Sequence, residues 1–127
     1  METPEELHYT EEHEWVRLEG SVAVIGITDY AQGELGDIVF VELPPVGTEV
    51  EQGDVFGTIE AVKTVADLYA PVTGKVIEVN EKLGAEPEAI NKMPYEDGWM
   101  LKIEPADAGQ LGKLMDASAY TAHVGEG

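Results

Sequence analysis

Apolar and polar residues alternate along most of the chain, with the period of two that predicts β-strands. The pattern is already complete in "WVRLEGSVAVIGI", residues 15–27, where a turn signal at 19–21 divides it in two. Alternating runs on both sides of a short glycine-containing turn are typical of two antiparallel strands. A β-hairpin is therefore predicted over this segment.

Capping residues predict a short helix directly after the hairpin. Thr28 and Asp29 begin the segment "TDYAQGELGD", and Gly36 lies near its end. Short polar side chains favour helix starts, and glycine favours helix ends. The next segment, "DIVFVELP", predicts a strand over 38–43 that the two following prolines end, because proline has no backbone donor for a strand ladder.

Strands recur at short intervals through the second half of the chain. One is predicted over 54–61, two more in "VADLYAPV" and "KVIEVN" after Lys63, and a last one in "WMLKIE" before a proline stops it. The intervening "EKLGAEPEAINKMPYEDG" is rich in proline, glycine and asparagine and is predicted to be a loop. This half of the chain therefore reads as β-structure with glycine-marked turns.

The C-terminal segment changes to a helical period. Apolar residues in 106–124 recur at spacings of three and four, and Asp107 and Asp116 are candidate helix caps. We expect one or two short helices packed on a small β barrel or sandwich, with 125–127 frayed. The length fits one domain over 1–127.

The charge of the chain limits its partners. There are 26 acidic and 7 basic residues, and the resulting net charge of −19 repels nucleic acid and anionic membranes. The same charge attracts a cationic face on another protein. With no cysteine there is neither a disulfide nor a thiol nucleophile. No signal peptide or membrane span is indicated, so a soluble, cytoplasmic monomer is expected.

Few motifs suggest chemistry. His8, His13 and His123 lack the paired spacing of a metal site, so no metal is expected. Carboxylates are so abundant that close acidic pairs follow from composition alone. The chain has neither a phosphate-binding loop nor a serine-hydrolase motif. An enzyme with its own active site is therefore disfavoured.

Lys63 stands out because it lies between two predicted strands. It has apolar neighbours on both sides, in "TIEAVKTVADL", and it is one of only seven cations, so a rigid turn would present it on a flexible stem. An exposed lysine amine is a poor nucleophile at neutral pH. Modification of Lys63 would therefore need an enzyme that supplies an activated acyl group, and an unmodified surface lysine remains the alternative.

Three segments together resemble one family. "GDVFGTIEAVKTVADLYAPVTGKVIEVN" resembles the lipoyl-lysine hairpin of the glycine cleavage system H-protein family, and "HEWVRLEGSVAVIGITDYAQGELGDIVFVELPPVGTEV" and "INKMPYEDGWMLKIEP" extend the resemblance over about four fifths of the chain. It implies a mainly β barrel-sandwich hybrid of two small antiparallel sheets with short peripheral and C-terminal helices. It also implies lipoic acid amide-linked to Lys63. Biotin carriers share this plan, but their lysine typically lies between methionines, whereas Val62 and Thr64 flank it here.

The resemblance implies a carrier rather than an enzyme. Such a carrier takes an aminomethyl group from glycine decarboxylase (P protein) to the tetrahydrofolate-dependent aminomethyltransferase (T protein). Dihydrolipoyl dehydrogenase (L protein) then reoxidises its arm, and a lipoylating enzyme attaches the cofactor beforehand. Two alternatives stay open: an H-like lipoyl carrier that serves lipoate transfer or another redox pathway, and an unmodified interaction domain.

The resemblance also suggests roles for three acidic residues. Glu60 matches a glutamate associated with recognition by the lipoylating enzyme, and Glu14 and Asp67 match residues associated with docking of the arm. Each has a plain alternative as a solvated surface carboxylate. The sequence departs from the family pattern at Ala66, where many relatives have serine, and at Glu34, which would add an acid if it lies near the expected cleft.

Overall fold

A computed structural model describes residues 3–125 of the chain, apart from the side chain of Ala108. The frayed end expected at 125–127 thus lies outside the described residues except for Gly125. The strands are β1 His8–Tyr9, β2 Glu14–Glu19, β3 Val22–Ile27, β4 Ile38–Glu42, β5 Glu49–Val50, β6 Val55–Ala61, β7 Val65–Tyr69, β8 Gly74–Val79 and β9 Leu101–Pro105. The helices are α1 Asp29–Leu35, α2 Lys82–Ala85, α3 Ala89–Lys92 and α4 Ala117–His123, with a 3-10 helix Ala108–Lys113.

The strands form two sheets that enclose the core. One has six strands in the order β1-β2-β3-β9-β8-β5, and the other has three in the order β4-β6-β7. Every neighbouring pair in both sheets is antiparallel. Buried aliphatic side chains of both sheets meet between them, as in a sandwich. The predicted mainly β fold of two antiparallel sheets is confirmed.

The first hairpin and first helix form as predicted. β2 pairs with β3 along its whole length, and Gly20 in the turn has a φ of 66°, which glycine adopts without strain. The Thr28 hydroxyl accepts a hydrogen bond from the Ala31 amide at 3.2 Å and caps α1. Gly36 ends the helix with a φ of 82°.

The prediction of a loop after β8 is corrected, because this segment contains the two short helices α2 and α3. A helix of four residues is not stable alone in water. Leu83 and Ile90 supply the missing stability, since both side chains are buried in the main core. A second small correction concerns the last strand, which continues through Pro105, paired with Gly74, instead of stopping before it.

The C-terminal segment packs on the outside of the larger sheet. The Asp107 side chain accepts from the Gly109 amide at 2.9 Å, and that of Asp116 accepts from the Ala119 amide at 2.8 Å, so both predicted caps are confirmed. In α4, the ring of Tyr120 stacks on Tyr9 with centroids 4.7 Å apart. This contact belongs to a second, smaller core cluster on that side of the sheet.

Candidate lysine hairpin and acidic cleft

Lys63 lies in the tight turn between β6 and β7. Glu60 and Val65 are the last paired residues, and the Ala61 amide donates to the Thr64 carbonyl at 2.8 Å across the turn. Lys63 is exposed. The hairpin therefore presents the amine to solvent at the end of two paired strands.

A neighbouring loop holds this turn in place. The Val62 amide donates to the Asp37 carbonyl at 3.0 Å. Next to Asp37, a side chain at Gly36 would place its Cβ 3.4 Å from Cε of Lys63. The lysine stem therefore lies along the end of α1, within van der Waals reach of Gly36.

Asn91 of α3 fixes that loop from behind. Its Oδ1 accepts from the Ile38 amide at 2.9 Å, and its Nδ2 donates to the Gly36 carbonyl at 2.9 Å and to Oε1 of Gln32 at 3.0 Å. One amide side chain therefore ties α3, α1 and the start of β4 together beneath the lysine turn. Sequence reasoning missed Asn91, because nothing in its local sequence indicates partners 53 to 59 residues away.

A cleft of about 320 Å³ opens beside the edge strand β7. Its floor is apolar, with Ile27, Ala31, Leu35, Ile59 and Leu68, and several acids also line it. The cleft residues with acidic side chains are Glu12, Glu14, Glu34 and Asp67. The fold thus brings both predicted docking residues to one cavity, and Glu34 joins them.

Glu14 is the most buried of these acids. Its side chain is 1% exposed. The Thr10 hydroxyl donates to Oε1 at 2.5 Å, and the Tyr69 amide donates to Oε2 at 3.2 Å. Burial raises the pKa of Glu14 to about 7, although these hydrogen bonds act in the opposite direction. This carboxyl group therefore changes charge near neutral pH.

His13 forms the adjoining wall of the cleft in an uncommon backbone conformation. Its φ is 75°, and no other non-glycine residue among residues 3–125 has a positive φ. Its carbonyl accepts from the Thr28 amide at 3.0 Å, and its Nδ1 shares a 2.8 Å hydrogen bond with the Tyr120 hydroxyl. Burial lowers the pKa of His13, and the neighbouring His123 adds to this effect. The C-terminal helix thus supports the cleft wall.

Asp67 and Glu60 differ from Glu14 because both are exposed. Asp67 lines the cleft from the edge strand β7, whereas Glu60 lies in the central strand β6 between Phe40 and Val65. The structure therefore groups Asp67 with Glu14 and leaves Glu60 in a separate place, beside the lysine turn.

Within residues 3–125, no group of three or more histidine, aspartate or glutamate side chains is arranged to hold a metal ion. No helix in the same part of the chain has the length and apolar character needed to cross a membrane.

The two sheets, with the lysine hairpin in the smaller one, define the class of protein, a barrel-sandwich hybrid. The crystal structure of a glycine cleavage system H protein from Mycobacterium marinum superimposes with a TM-score of 0.89 at 38% identity, over 96% of this chain and 98% of that one. Glycine cleavage system H proteins of Staphylococcus saprophyticus and Staphylococcus haemolyticus are 58% and 57% identical over 126 residues, which is 99% of this chain and 100% of theirs.

A family model described as "Glycine cleavage H-protein" matches residues 7–127. The chain belongs to the glycine cleavage H-protein family. This membership confirms the resemblance drawn from the sequence, and with it the prediction of a carrier component rather than an enzyme.

Proposed function

We propose that this protein carries lipoic acid in amide linkage on Lys63 and serves as the mobile carrier of glycine cleavage. The observation that supports this most directly is the placement of Lys63, exposed at a tight β turn that Asp37 and Asn91 hold in position. When bound, the lipoyl group supplies a disulfide that accepts the aminomethyl group from glycine decarboxylase, gives it up at the aminomethyltransferase and is reoxidised by dihydrolipoyl dehydrogenase.

The cleft beside β7 fits an arm attached at Lys63. Ile59 and Ala66 line it and are paired across β6 and β7, a few residues along the hairpin from the lysine. An apolar floor suits the hydrocarbon part of a lipoyl chain, because burying it removes apolar surface from water. The cleft residues would thus bind the arm along the edge of the smaller sheet.

The acids of the cleft suit a cationic group at the end of the arm. Glu14 is buried at the cleft and Asp67 lies at its rim, so a protonated amine there would meet two carboxylates. A cation favours the charged form of a neighbouring carboxyl group, and charge-assisted hydrogen bonds are among the stronger ones. Glu14 and Asp67 would therefore hold the amine and keep water from it. Glu60, outside the cleft, suits recognition by the lipoylating enzyme.

Mass measurement tests the attachment. Protein produced with lipoate and the lipoylating enzyme should gain the mass of one lipoyl group, and the gain should map to the peptide that contains Lys63. Lys63→Arg should gain nothing, because arginine keeps the charge but cannot form the amide. Lys75→Arg, at another exposed lysine on β8, is the matched control and should be lipoylated normally. Lipoylation of the Lys63→Arg variant would contradict the proposal.

Reconstitution tests the pathway. Lipoylated protein should support exchange of the glycine carboxyl group with bicarbonate by glycine decarboxylase, and Lys63→Arg should not. A lipoylated protein that fails in this assay would instead favour the alternative of an H-like carrier serving lipoate transfer or another redox pathway.

A further inference from the structure

Thr10 and Glu14 close the turn between β1 and β2 through hydrogen bonds to each other. The Thr10 amide donates to the Glu14 carbonyl at 2.9 Å. The Glu14 amide donates to the Thr10 hydroxyl at 3.0 Å, and the same hydroxyl donates to Oε1 of Glu14 at 2.5 Å. Three hydrogen bonds thus join two residues, and one of them ends on a carboxyl group of the cleft.

The roles of these groups are fixed when Glu14 is ionised. A hydroxyl has one proton, and a backbone amide can only donate. The Thr10 oxygen therefore accepts from the Glu14 amide and directs its own proton to Oε1. The Tyr69 amide donates to Oε2, so each carboxylate oxygen has a donor. The O–H···O distance of 2.5 Å is in the short range typical of hydrogen bonds to an ionised carboxyl.

The same hydroxyl can also serve the protonated carboxyl. A hydroxyl oxygen has two acceptor lone pairs, so Thr10 can accept from the Glu14 amide and from a protonated Oε1 at the same time. Valine has nearly the shape of threonine but can do neither. Because Glu14 is 1% exposed, water has little access to replace a lost partner.

Thr10 reaches Glu14 from outside the cleft. It lines a second cavity, of about 270 Å³, and among residues 3–125 it does not belong to the lining of the cleft. Glu14 lines both cavities, so its side chain forms part of the wall between them. Thr10 can therefore hold the carboxyl group without occupying the space of the arm.

We propose that Thr10 is a positioning residue of the cleft, whose hydroxyl holds the Glu14 carboxyl in one place in both its charged and its neutral form. Thr10 does not touch the arm and acts only through Glu14. This inference rests on the proposed function, because the carboxyl is held for the cationic end of a loaded arm.

The other charges around Glu14 stay the same when Thr10 is changed. The titratable side chains that line the two cavities with Glu14 are Glu11, Glu12, His13, Glu34, Asp67 and Lys113, together with two tyrosines. The charge of Glu14 also acts on Tyr120 of α4. All six of the cavity residues except His13 are exposed, so water and salt screen them. A difference in titration between the native protein and a Thr10 variant therefore reports the hydroxyl.

Titration of the lipoate-free protein tests the proposal. The carboxyl ¹³C signal of Glu14 is followed by NMR, and the signal that Glu14→Gln lacks identifies it. Thr10→Val should raise the pKa of Glu14 from about 7 by about one unit, because the charged form loses a donor that it needs more than the neutral form does. Thr10→Ala should act in the same direction, and Thr10→Ser should restore the native pKa because it keeps the hydroxyl.

Thr48→Val is the matched control. Thr48 is half-buried like Thr10, and its hydroxyl donates to the Pro45 carbonyl at 2.7 Å in the turn before β5. It removes a hydroxyl without touching the cleft, so the titration of Glu14 should equal that of the native protein. Circular dichroism verifies that each variant is folded.

Retention of the loaded arm gives a second measurement. In the lipoylated protein loaded by glycine decarboxylase, water breaks the C–S bond, the group leaves as formaldehyde and ammonium, and the sulfur takes a proton. Intact mass follows this loss. At about pH 7, Thr10→Val should lose the group about tenfold faster than the native protein, because its carboxyl is mostly neutral and holds the cation weakly. The difference should shrink toward about pH 9, where Glu14 is ionised in both proteins.

A double variant shows whether Thr10 acts through Glu14. In a Glu14→Gln background, Thr10→Val should cause no further acceleration, because the carboxyl that Thr10 holds is already absent. Equal acceleration in the native and the Glu14→Gln backgrounds would assign the effect to the turn as a whole and overturn the inference.

The outcomes separate this inference from the one on which it rests. A protein that is never lipoylated at Lys63 would overturn the proposed function, and with it the role of the held carboxyl toward an arm. Normal lipoylation with an unchanged titration of Glu14 in Thr10→Val and Thr10→Ala would overturn the inference alone. So would a Thr10→Ser variant that titrates like Thr10→Val, since serine keeps the hydroxyl.

Discussion

The carboxyl group of Glu14 is deeply buried and accepts hydrogen bonds at both oxygens. Burial raises its pKa to about 7, above its ordinary value of 4.5. The folded protein therefore binds a proton at Glu14 that the unfolded chain releases between these two pH values. A cation in the cleft would favour the charged form, so binding of the proposed loaded arm is expected to release this proton.

The raised pKa predicts a pH-dependent stability. Because the folded state favours the protonated carboxyl, the contribution of Glu14 is fully present below pH 4.5 and is lost as the pH rises to about 7. Glu14→Gln has no such proton, so the native protein should lose about 3 kcal/mol relative to this variant between pH 4.5 and 8. Denaturant unfolding at several pH values measures the difference in unfolding free energy.

Glu11→Gln is the control for removing one negative charge, since Glu11 is exposed three residues before Glu14. A constant difference in unfolding free energy between the native protein and Glu14→Gln across this pH range would contradict the raised pKa.

The lysine hairpin depends on elements that are distant from it in sequence. β6 and β7 pair with each other, yet the turn between them is held by the loop before β4, and Asn91 in α3 holds that loop. Short helices such as α3 have little stability of their own. In this protein α3 therefore acts as a support for the lysine turn.

Asn91→Ala should loosen the turn as well as lower stability. It removes three hydrogen bonds and leaves the Ile38 amide without its partner, at a cost of about 2 kcal/mol. Amide hydrogen exchange at Val62 should become faster, because the Asp37 carbonyl that it binds loses its support.

Asn80→Ala is a matched control, since Asn80 also makes three hydrogen bonds with its side-chain amide but lies near Asp97 and Trp99. It should cost similar stability while leaving exchange at Val62 unchanged, apart from the part due to global unfolding. Equal exchange at Val62 in the two variants at matched stability would show that Asn91 does not position the turn.

Tyr120 of the C-terminal helix α4 links the N-terminal strand β1 to the cleft wall at His13. The Tyr120 hydroxyl lies 2.8 Å from Nδ1 of His13 and 2.7 Å from the Thr28 hydroxyl, and its ring stacks on Tyr9. Burial raises the pKa of Tyr120 to about 12, so this hydroxyl stays protonated over the physiological range. The smaller core cluster thus contributes to the cleft as well as to stability.

Tyr120→Phe should separate these two contributions. The stack on Tyr9 is retained, but His13 and Thr28 lose a shared partner, so the unfolding free energy should fall by about 1–2 kcal/mol. The ring signals of His13 in an NMR spectrum should shift. Tyr30→Phe removes a hydroxyl from another ring near His13, 4.9 Å away by centroids, and as a half-buried site it should cost less. Equal losses in both variants would argue against the role of Tyr120.

Most of the correct fold predictions came from short-range patterns in the sequence. The strands around Lys63, the first hairpin and the caps at Thr28, Asp107 and Asp116 all depend on residues within a few positions of each other. The failures share the opposite property. The helices α2 and α3 form because Leu83 and Ile90 reach the main core, and the composition of that segment alone favours a loop.

For the candidate site, the sequence indicated Lys63 but did not define its surroundings. Glu14 and Asp67 were suggested by resemblance, and their meeting in one cleft required the pairing of β6 with β7 and the packing of that hairpin against 10–14. The exposure of Phe40 depends on a bulge that alternation does not predict. Asn91 had no sequence signal.

The amino-acid sequence by itself determined the β character of the chain, its acidity, its helix caps and the position of one lysine between two strands. These follow from side-chain periodicity and local backbone preference, which act over a few residues. Only the tertiary structure decided that Glu14 is buried against Tyr69, that Asn91 supports the lysine turn and that Phe40 faces solvent. The first two depend on the dielectric surroundings and hydrogen-bond partners created when residues more than 50 positions apart come into contact, and the third depends on the bulge where β4 pairs with β6.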